Sequence, residues 1–233
     1  MAWDREKRNA AKAALEFVED GMTLGLGTGS TAKFFIELLA DEVADGLLVR
    51  GVPTSEDTAR LAKAHGVPLV DVDKVAQIHI TVDGADEVDG YGNLIKGGGA
   101  ALLREKIIAN ASDHMVVIAD ASKQVERLGA FPLPLEVTPF GVTITAKKVF
   151  DALCASGIDK PKVTLRMDDG GKTPILTDGG NHVLDCRCTR IPDAEATAAR
   201  LSGVPGLVEH GLFLGMARTV IIGNEGGATV FEY

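Results

Sequence analysis

The sequence predicts an α/β protein in which a mostly parallel sheet carries helices on both faces, with a second, smaller α+β domain. Two observations support this prediction. Up to about Gly129, apolar segments of strand length alternate with helical patterns, which is typical of a parallel sheet built from βαβ units. After Gly129 the turn signals change in spacing, and the new order of strands and helices indicates a domain of split βαβ type.

The first predicted domain opens with a helix over residues 5–19, whose apolar side chains recur at helical spacing until Asp20-Gly21 ends it. A strand at 22–26 then leads through the segment 27–31 into a second helix. Ser55 is expected to cap a third helix that runs through Ala64. The remaining elements continue the alternation, with strands at 47–52, 67–70, 77–82 and 114–119 and a helix at 100–111.

The second predicted domain follows Phe131-Pro132-Leu133-Pro134, which is typical of a linker or of the entry to an edge strand. Its elements are a strand near Leu135, a helix at 145–155, a strand at 162–166, further strands bounded by turns at 168–171 and 178–181, and a helix at 194–201. The segments 217–223 and 228–231 have strand character again, and we expect them to return to the first sheet.

The composition excludes several classes of protein. The 233 residues include 24 Lys+Arg and 33 Asp+Glu, a formal net charge of −9, and no basic patch offsets this negative field, so we expect no nucleic-acid partner. The charged amino-terminal segment lacks the apolar region of a signal peptide. No apolar run approaches the roughly 18 residues that span a bilayer. We therefore expect a cytoplasmic protein with no membrane partner.

The three cysteines, Cys154, Cys186 and Cys188, are too few for a disulfide framework and fit a reducing compartment. His182 together with Cys186 and Cys188 is a conceivable set of metal ligands. A second paired cluster is missing, however, and alternate residues of a strand share one face for structural reasons alone. We therefore expect no metal site.

The segment Gly27-Thr28-Gly29-Ser30-Thr31 follows a strand and opens a helix, so its backbone N–H groups and hydroxyls form an anion site, with phosphate as the natural ligand. A dinucleotide fingerprint fits less well, because the next strand ends at Val52-Pro53-Thr54-Ser55 with no acidic residue for a ribose hydroxyl. A bare tight turn is the structural alternative.

Two further segments carry polar groups where a sheet of this kind binds ligands. Asp83 and Asp86 follow the end of a strand, although an Asx turn would also explain them. In the segment 96–99 a lysine precedes three glycines, and close approach of a ligand would explain their entropic cost; a flexible hinge is the alternative. Lys123 and Lys7 are weaker candidates for ligand contact, since a surface lysine is the default interpretation.

Glu105 is the most informative residue. On a helix its neighbours three and four positions away are apolar, so its carboxylate interrupts an apolar stripe. Partial desolvation there would raise its pKa toward the range that is useful to a general base. The alternative is that the stripe lies away from the deepest core and Glu105 reaches solvent from its edge.

Four segments together resemble ribose-5-phosphate isomerase of the A type: GLGTGSTA at 25–32, TVDGADEVD at 81–89, KGGGAALLREK at 96–106 and ADASKQV at 119–125. The match continues through PLPLEVTPFG at 132–141 and GLVEHGLFLG near the end of the sequence, so it covers nearly the whole chain.

The resemblance implies a Rossmann-like domain of residues 1–130 and 207–233 and a ferredoxin-like α+β domain of residues 131–206. It also implies a homodimer that binds a small sugar phosphate. The reaction would be the interconversion of D-ribose 5-phosphate and D-ribulose 5-phosphate through a cis-enediolate, in the non-oxidative pentose phosphate pathway. No metal or organic cofactor would take part.

The resemblance also assigns roles to individual residues. Glu105 matches the proton-abstracting glutamate. Our own hypothesis from the chemistry is that Lys96 and neighbouring backbone N–H groups stabilise an oxyanion and that Asp83 and Asp86 handle hydroxyl protons or ring opening. The positions that match substrate-contacting segments are Thr28, Gly29, Ser30, Thr31, Asp83, Gly84, Ala85, Asp86, Lys96, Gly97, Gly98, Gly99 and Lys123.

Two other functions are compatible with the same motifs. A sensing module could keep the fold and bind a sugar phosphate without chemistry, but a binder has little use for a desolvated base such as Glu105. An NADP-linked oxidoreductase is the second alternative, with Arg50 near the end of the second strand as the partner of a 2′-phosphate.

Overall fold

A computed structural model of the protein describes residues 2–233. The helices are α1 (Ala2–Ala14), α2 (Ser30–Ala44), α3 (Glu56–Ala64), α4 (Leu102–Ala111), α5 (Val142–Ala155) and α6 (Ala194–Ser202). The strands are β1 (Thr23–Leu26), β2 (Arg50–Pro53), β3 (Ile78–Gly84), β4 (Glu87–Val88), β5 (Leu94–Ile95), β6 (Ser112–Asp120), β7 (Leu133–Val137), β8 (Lys162–Leu165), β9 (His182–Arg187), β10 (Leu207–His210), β11 (Leu212–Phe213), β12 (Thr219–Asn224) and β13 (Gly227–Glu232).

The chain divides into two compact units. Unit 1 contains the residues up to Ala85, Arg104–Gln124 and Gly215–Tyr233, and unit 2 contains Asp86–Leu103 and Val125–Leu214. The domain bounds expected from the sequence, 1–130 and 207–233 against 131–206, remain a prediction. They assign residues 86–103 to the first domain, whereas proximity of Cα atoms groups that segment with unit 2.

Unit 1 is organised around a sheet with the strand order β13-β12-β6-β3-β1-β2. Every pair in it is parallel except β12 with β13, which confirms the predicted mostly parallel sheet. The two closing segments return to this sheet as β12 and β13, as expected.

Helices cover both faces of the unit 1 sheet. On one face, Ala10 and Ala14 of α1 and Phe35 of α2 pack with Leu24 and Leu26 of β1 in the main core. On the other face α4 lies directly on β1, because a Cβ atom on Gly25 would stand 2.7 Å from Cγ2 of Ile108. The missing side chain of Gly25 therefore sets how closely α4 approaches the sheet.

One expected strand of unit 1 is only a fragment. Residues 67–70 form an isolated bridge between Leu69 and Gly51 rather than a strand. Gly51 N donates to Pro68 O at 2.8 Å, and Val70 N donates to Gly51 O at 2.9 Å. Pro68 has no N–H of its own, so the ladder along β2 does not extend further at that residue.

Unit 2 has the α+β character that the sequence predicts. An antiparallel sheet of strand order β10-β7-β9-β8 packs its apolar side chains with α5 and α6, for example Leu135 of β7 with Val149 and Leu201. The expected linker at 131–134 is in part a strand, because β7 begins at Leu133. A small sheet of order β11-β5-β4 completes unit 2; its two-residue strands are too short for a period to be visible in the sequence.

A buried carboxylate holds the chain just before β7. Glu87 of β4 is 3% exposed, and its two carboxylate oxygens accept the N–H groups of Gly129 at 2.7 Å and Phe131 at 2.5 Å. Burial raises the pKa of Glu87, and the two backbone hydrogen bonds act in the opposite direction.

Candidate active site

The first glycine loop connects β1 to α2 at the carboxyl end of β1. Gly29 is the N-cap residue and adopts φ +111°, a region that favours glycine. Because Gly29 has no side chain, it leaves the first turn of the 15-residue helix α2 uncapped by a hydroxyl or carboxylate. The positive end of the helix and its backbone N–H groups therefore face the loop, as a phosphate site requires.

A lysine from another helix reaches this loop. Lys7 of α1 donates from Nζ to Oγ of Ser30 at 3.0 Å. The sequence favoured a plain surface role for Lys7, because that is the default for a lone lysine. The contact joins residues 23 positions apart, which no local motif could indicate. In the structure Lys7 places a cation beside the first residue of α2.

Hydroxyl groups fix the other side of the loop. Oγ1 of Thr28 lies 2.8 Å from Oγ1 of Thr54 and from Oγ of Ser55, and 3.1 Å from Oγ1 of Thr58. Thr58 in turn donates to the carbonyl of Gly27 at 2.9 Å. Ser55 caps α3 as predicted, accepting the N–H of Thr58 at 3.0 Å. This cluster of hydroxyls joins the loop to the end of β2 and to the start of α3.

Asp83 is packed against the same loop. Its side chain is fully buried, and Oδ1 accepts the N–H groups of Thr28 at 3.1 Å and Gly84 at 2.7 Å. A Cβ atom on Gly27 would lie 2.5 Å from Cα of Asp83 and would overlap its carboxylate, so only glycine fits there. The structure thus brings together two of the predicted site segments, 28–31 and 83–84.

Glu105 is buried, with 4% of its surface exposed, so the alternative in which it reaches solvent is wrong. Ile108, one turn later, packs on β1 at Gly25, where a Cβ atom would also overlap Oγ1 of Thr81. Thr81 and Asp83 are two residues apart on β3 and share a face. The α4 crossover runs antiparallel to the strands it connects, so Glu105 lies toward the carboxyl ends of the strands, on the Asp83 face.

The neighbour of Glu105 points elsewhere. Nη1 of Arg104 donates to Oε1 of Glu56 at 2.9 Å, and this hydrogen bond lowers the pKa of Glu56. Arg104 thus connects α4 to the first turn of α3, the helix that Ser55 caps.

Lys123 follows β6, two strands away from β1 in the sheet. The short 3-10 turn Ala121–Lys123 is held by Asp120, which accepts the N–H of Ser122 at 3.0 Å, and by Glu6 of α1, which accepts the N–H of Ala121 at 3.3 Å. Because parallel strands end at the same edge of a sheet, Lys123, Asp83 and the loop at 28–31 share the carboxyl edge of unit 1.

Unit 2 contains the second glycine loop, Lys96-Gly97-Gly98-Gly99. Lys96 is buried, with Nζ 5.5 Å from the centroid of the Phe213 ring, a cation–π distance. Gly98 donates its N–H to Oδ2 of Asp86 at 2.8 Å, and a Cβ there would lie 2.6 Å from Oδ1. These contacts anchor the loop, and such anchoring does not support the alternative interpretation of residues 96–99 as a flexible hinge.

Arg166 is a contact of this loop that the sequence did not reveal. Its Nη1 donates to the carbonyl oxygens of Gly97 and Gly98, both at 3.0 Å. Its Nε and Nη2 donate to the two carboxylate oxygens of Asp185 at 2.8 and 2.5 Å. The sequence separation between Arg166 and Gly97 is 69 residues, and no periodic or local pattern marks such a pair.

The remaining candidates have structural explanations. Cys186 and Cys188 are buried free thiols, and burial raises the pKa of Cys188 to about 12 and that of Cys186 well above its usual value. Arg50 begins β2, so it lies at the amino edge of the sheet, opposite the loop at 28–31. The oxidoreductase alternative thereby loses its phosphate contact.

Two features are absent from the part of the chain that the structure describes. Between positions 2 and 233, no three His, Cys, Asp or Glu side chains are grouped as metal ligands would be. Over the same positions, every helix is too short or too polar to cross a membrane.

Comparison with known proteins gives a consistent result. The sequence pattern of the family described as ribose 5-phosphate isomerase A (phosphoriboisomerase A) matches residues 50–227. A protein from Maricaulis maris named ribose-5-phosphate isomerase A is 58% identical over 98% of both chains, and one of the same name from Parvibaculum lavamentivorans is 51% identical over the full length of both.

Solved structures agree with the sequence relatives. A D-ribose-5-phosphate isomerase in complex with phospho-erythronic acid superimposes with a TM-score of 0.92 at 39% identity, and the match covers 100% of both chains. Ribose 5-phosphate isomerase from Plasmodium falciparum superimposes with a TM-score of 0.91 at 34% identity over 99% of both chains. The Rossmann-like and ferredoxin-like expectation for the fold class is confirmed by these full-length matches.

Proposed function

This chain belongs to the ribose 5-phosphate isomerase A family, and on that premise we propose that it interconverts D-ribose 5-phosphate and D-ribulose 5-phosphate. The observation that carries the proposal is the burial of Glu105 on the Asp83 face of the sheet. Buried carboxylates such as Glu87 also serve structure. Glu105 differs from Glu87 in its place toward the carboxyl ends of the parallel strands, where sheets of this kind bind their ligands.

The reaction needs one base. In the open-chain sugar, Glu105 removes the proton from C2, which gives a cis-enediolate, and returns the proton to C1, which gives the ketose. The reverse direction uses the same steps, and no electron acceptor is consumed. Triosephosphate isomerase combines a glutamate base with a polarising partner in the same way, and it serves here as a chemical analogy only.

Charge develops on oxygen as the proton leaves carbon. In our proposal Lys96 and the N–H groups of Gly97–Gly99 stabilise that oxyanion, while Asp83 and Asp86 handle hydroxyl protons or ring opening. Each aspartate is held by backbone N–H groups, Asp83 by Thr28 and Asp86 by Gly98. These bonds fix the orientation of both carboxylates in the structure.

The phosphate is proposed to bind the segment 28–31, with Gly84 and Ala85 as further substrate contacts. The exposed start of α2 supplies N–H groups and helix dipole, and Ser30 and Thr31 supply hydroxyls. Two lysines are proposed to neutralise the charge. Lys7 is supported by its 3.0 Å contact with Ser30, and Lys123 by its place at the same edge of the sheet.

We also propose that the protein works as a cytoplasmic homodimer in the non-oxidative pentose phosphate pathway, without a metal or organic cofactor. Three unpaired cysteines support a reducing compartment, and a proton transfer between adjacent carbons needs no redox partner. A sedimentation mass of twice the chain mass would support the dimer, and a mass of one chain would contradict it.

The main experiment follows ketose formation from ribose 5-phosphate in the presence of EDTA. We expect turnover by the wild type and a loss of about 10²–10⁴-fold in kcat for Glu105→Gln, because an amide cannot accept the C2 proton. Glu42→Gln, an exposed carboxylate on α2, is the matched control and should leave kcat unchanged.

Calorimetric binding of ribose 5-phosphate to both proteins separates the possible outcomes. Normal turnover by Glu105→Gln would contradict the assignment of the base. If wild type and variant both bind the sugar phosphate and neither forms ketose, the protein is a sensing module. A fluorescence titration with NADPH tests the oxidoreductase, and saturable binding would favour it.

A further inference from the structure

Arg166 holds the second glycine loop from the carbonyl side. It follows β8, and its guanidinium forms a two-point bridge to Asp185 on β9, with the side chains only 16% and 24% exposed. The other edge of the same planar group donates to the carbonyls of Gly97 and Gly98. A guanidinium fixed on one edge by a carboxylate has little freedom, so it presents its other edge at a defined position.

Because the peptide group is planar, the hydrogen bonds from Arg166 also fix the N–H groups on the opposite side of the loop. In a trans peptide the C=O and the N–H point in opposite directions. In the peptide between Gly97 and Gly98, the carbonyl of Gly97 accepts a hydrogen bond from Arg166. The N–H of Gly98, on the opposite side, donates to Asp86 at 2.8 Å. This planar peptide group thus connects the guanidinium of Arg166 with the carboxylate of Asp86.

The next peptide has a different consequence. The carbonyl of Gly98 also bonds Nη1 of Arg166, so the N–H of Gly99 points away from Arg166. A cation on the carbonyl polarises the peptide and strengthens the N–H as a donor. Ala100 N–H also closes a turn onto Gly97 O at 3.0 Å, and Arg166 adds the bond that fixes the peptide between Gly98 and Gly99. Glycine residues have wide backbone freedom, so this bond restricts the orientation of the Gly99 N–H.

We propose that Arg166 is a positioning residue for the isomerisation: together with Asp185 it fixes the Gly97–Gly99 loop so that the N–H of Gly99 meets the enediolate oxygen. Arg166 acts through the loop and does not itself touch the substrate. The inference rests on the proposed function, and it adds a residue outside the segments that the family resemblance identifies.

The test compares wild type with Arg166→Met, which keeps the length of the side chain and removes its donors. Phospho-erythronic acid is the probe for the enediolate, since its carboxylate carries two oxygens on a planar carbon. Inorganic phosphate is the probe for the phosphate site alone. We expect kcat to fall about 10- to 100-fold, KM to change less than about 3-fold, and the affinity for phospho-erythronic acid to fall about 10-fold or more.

Two further variants keep the inference falsifiable. Arg166→Lys retains the charge and should recover part of kcat. Asp185→Asn should give a smaller loss in the same direction, and it replaces Arg166→Met in the test if that variant does not fold. Arg187→Met removes an exposed arginine from the same strand as Asp185 and is the control for a general effect on unit 2. Affinity for inorganic phosphate should stay within about 2-fold of wild type in all of them.

The inference is overturned if Arg166→Met matches wild type in kcat and in affinity for phospho-erythronic acid. It is also overturned if affinities for phospho-erythronic acid and inorganic phosphate fall equally, since that pattern indicates a general structural defect. Absence of turnover in wild type would refute the proposed function instead, and the comparison of the two affinities would still test the role of Arg166 in the loop.

Discussion

Replacing Gly27 with alanine should move the first glycine loop away from β3, because Gly27 packs against Asp83 with no room for a side chain. The added Cβ would overlap Oδ1 and Cγ of Asp83 and would lie 2.5 Å from its Cα. A rotamer change could move the first two atoms, but the third belongs to the backbone of β3. The glycine loop and β3 must therefore move apart.

The magnitude follows from the severity of these contacts. Overpacking a filled site costs about 1–3 kcal/mol, and a backbone clash belongs at the upper end. At about 2–4 °C per kcal/mol for a chain of this length, we expect Tm to fall by roughly 6–12 °C. A shift of about 1 Å in a catalytic group can reduce turnover about 100-fold, so Gly27→Ala should also lose most of its kcat.

Scanning calorimetry and steady-state kinetics test this prediction, with Gly21→Ala as the matched control. Gly21 has φ +85° and nothing within 4 Å of the position of an added Cβ, so alanine there meets only the left-handed backbone penalty of about 1–2 kcal/mol. Its Tm should fall by less, with kcat unchanged. A Gly27→Ala protein with Tm within about 2 °C of wild type and normal kcat would refute the reasoning.

Three further predictions concern buried groups. The pKa of Glu87 is raised above its ordinary value of 4.5, so the stability that wild type gains relative to Glu87→Gln is largest below pH 4.5 and is lost as pH rises through the raised pKa. Urea unfolding of both proteins at a series of pH values should show this loss, and a stability difference that grows with pH would contradict it. Iodoacetamide at pH 8 should alkylate exposed Cys154 but not buried Cys186 or Cys188 in the native protein, as mass spectrometry can show; modification of two or three thiols before unfolding would count against the burial. Ser55→Ala removes the cap of α3 and should lower the free energy of unfolding by about 1 kcal/mol, measured by urea unfolding, and no loss would mean that the cap is not stabilising.

Features with a local physical cause could be predicted from the sequence. Ser55 caps α3 because a serine before a helix accepts a backbone N–H wherever it occurs. The apolar residues at helical spacing around Glu105 indicated partial desolvation but left open that it reaches solvent from the edge of the stripe, and only the structure decides for burial. The loop at 28–31 was identifiable because strand, glycines and helix follow each other directly along the chain.

Features that depend on packing between distant segments could not be predicted. Lys7 meets Ser30 only because α1 packs beside α2 in the same core. Arg166 reaches Gly97 and Gly98 from the position just after β8, far along the chain, and a strand pattern gives no information about the partner of the residue that follows it. β4, β5 and β11 have two residues each, so the alternation of strand side chains does not repeat in them.

The parallel pairing of β6 with β12 has a consequence for synthesis of the chain. β6 ends at Asp120 and β12 begins at Thr219, so the ribosome must add 99 residues (219 − 120) before the second neighbour of β6 exists. At about 5–20 residues per second this takes roughly 5–20 s. During that interval an apolar strand presents an open edge to other nascent chains. Slower translation of the intervening segment lengthens this exposure in direct proportion.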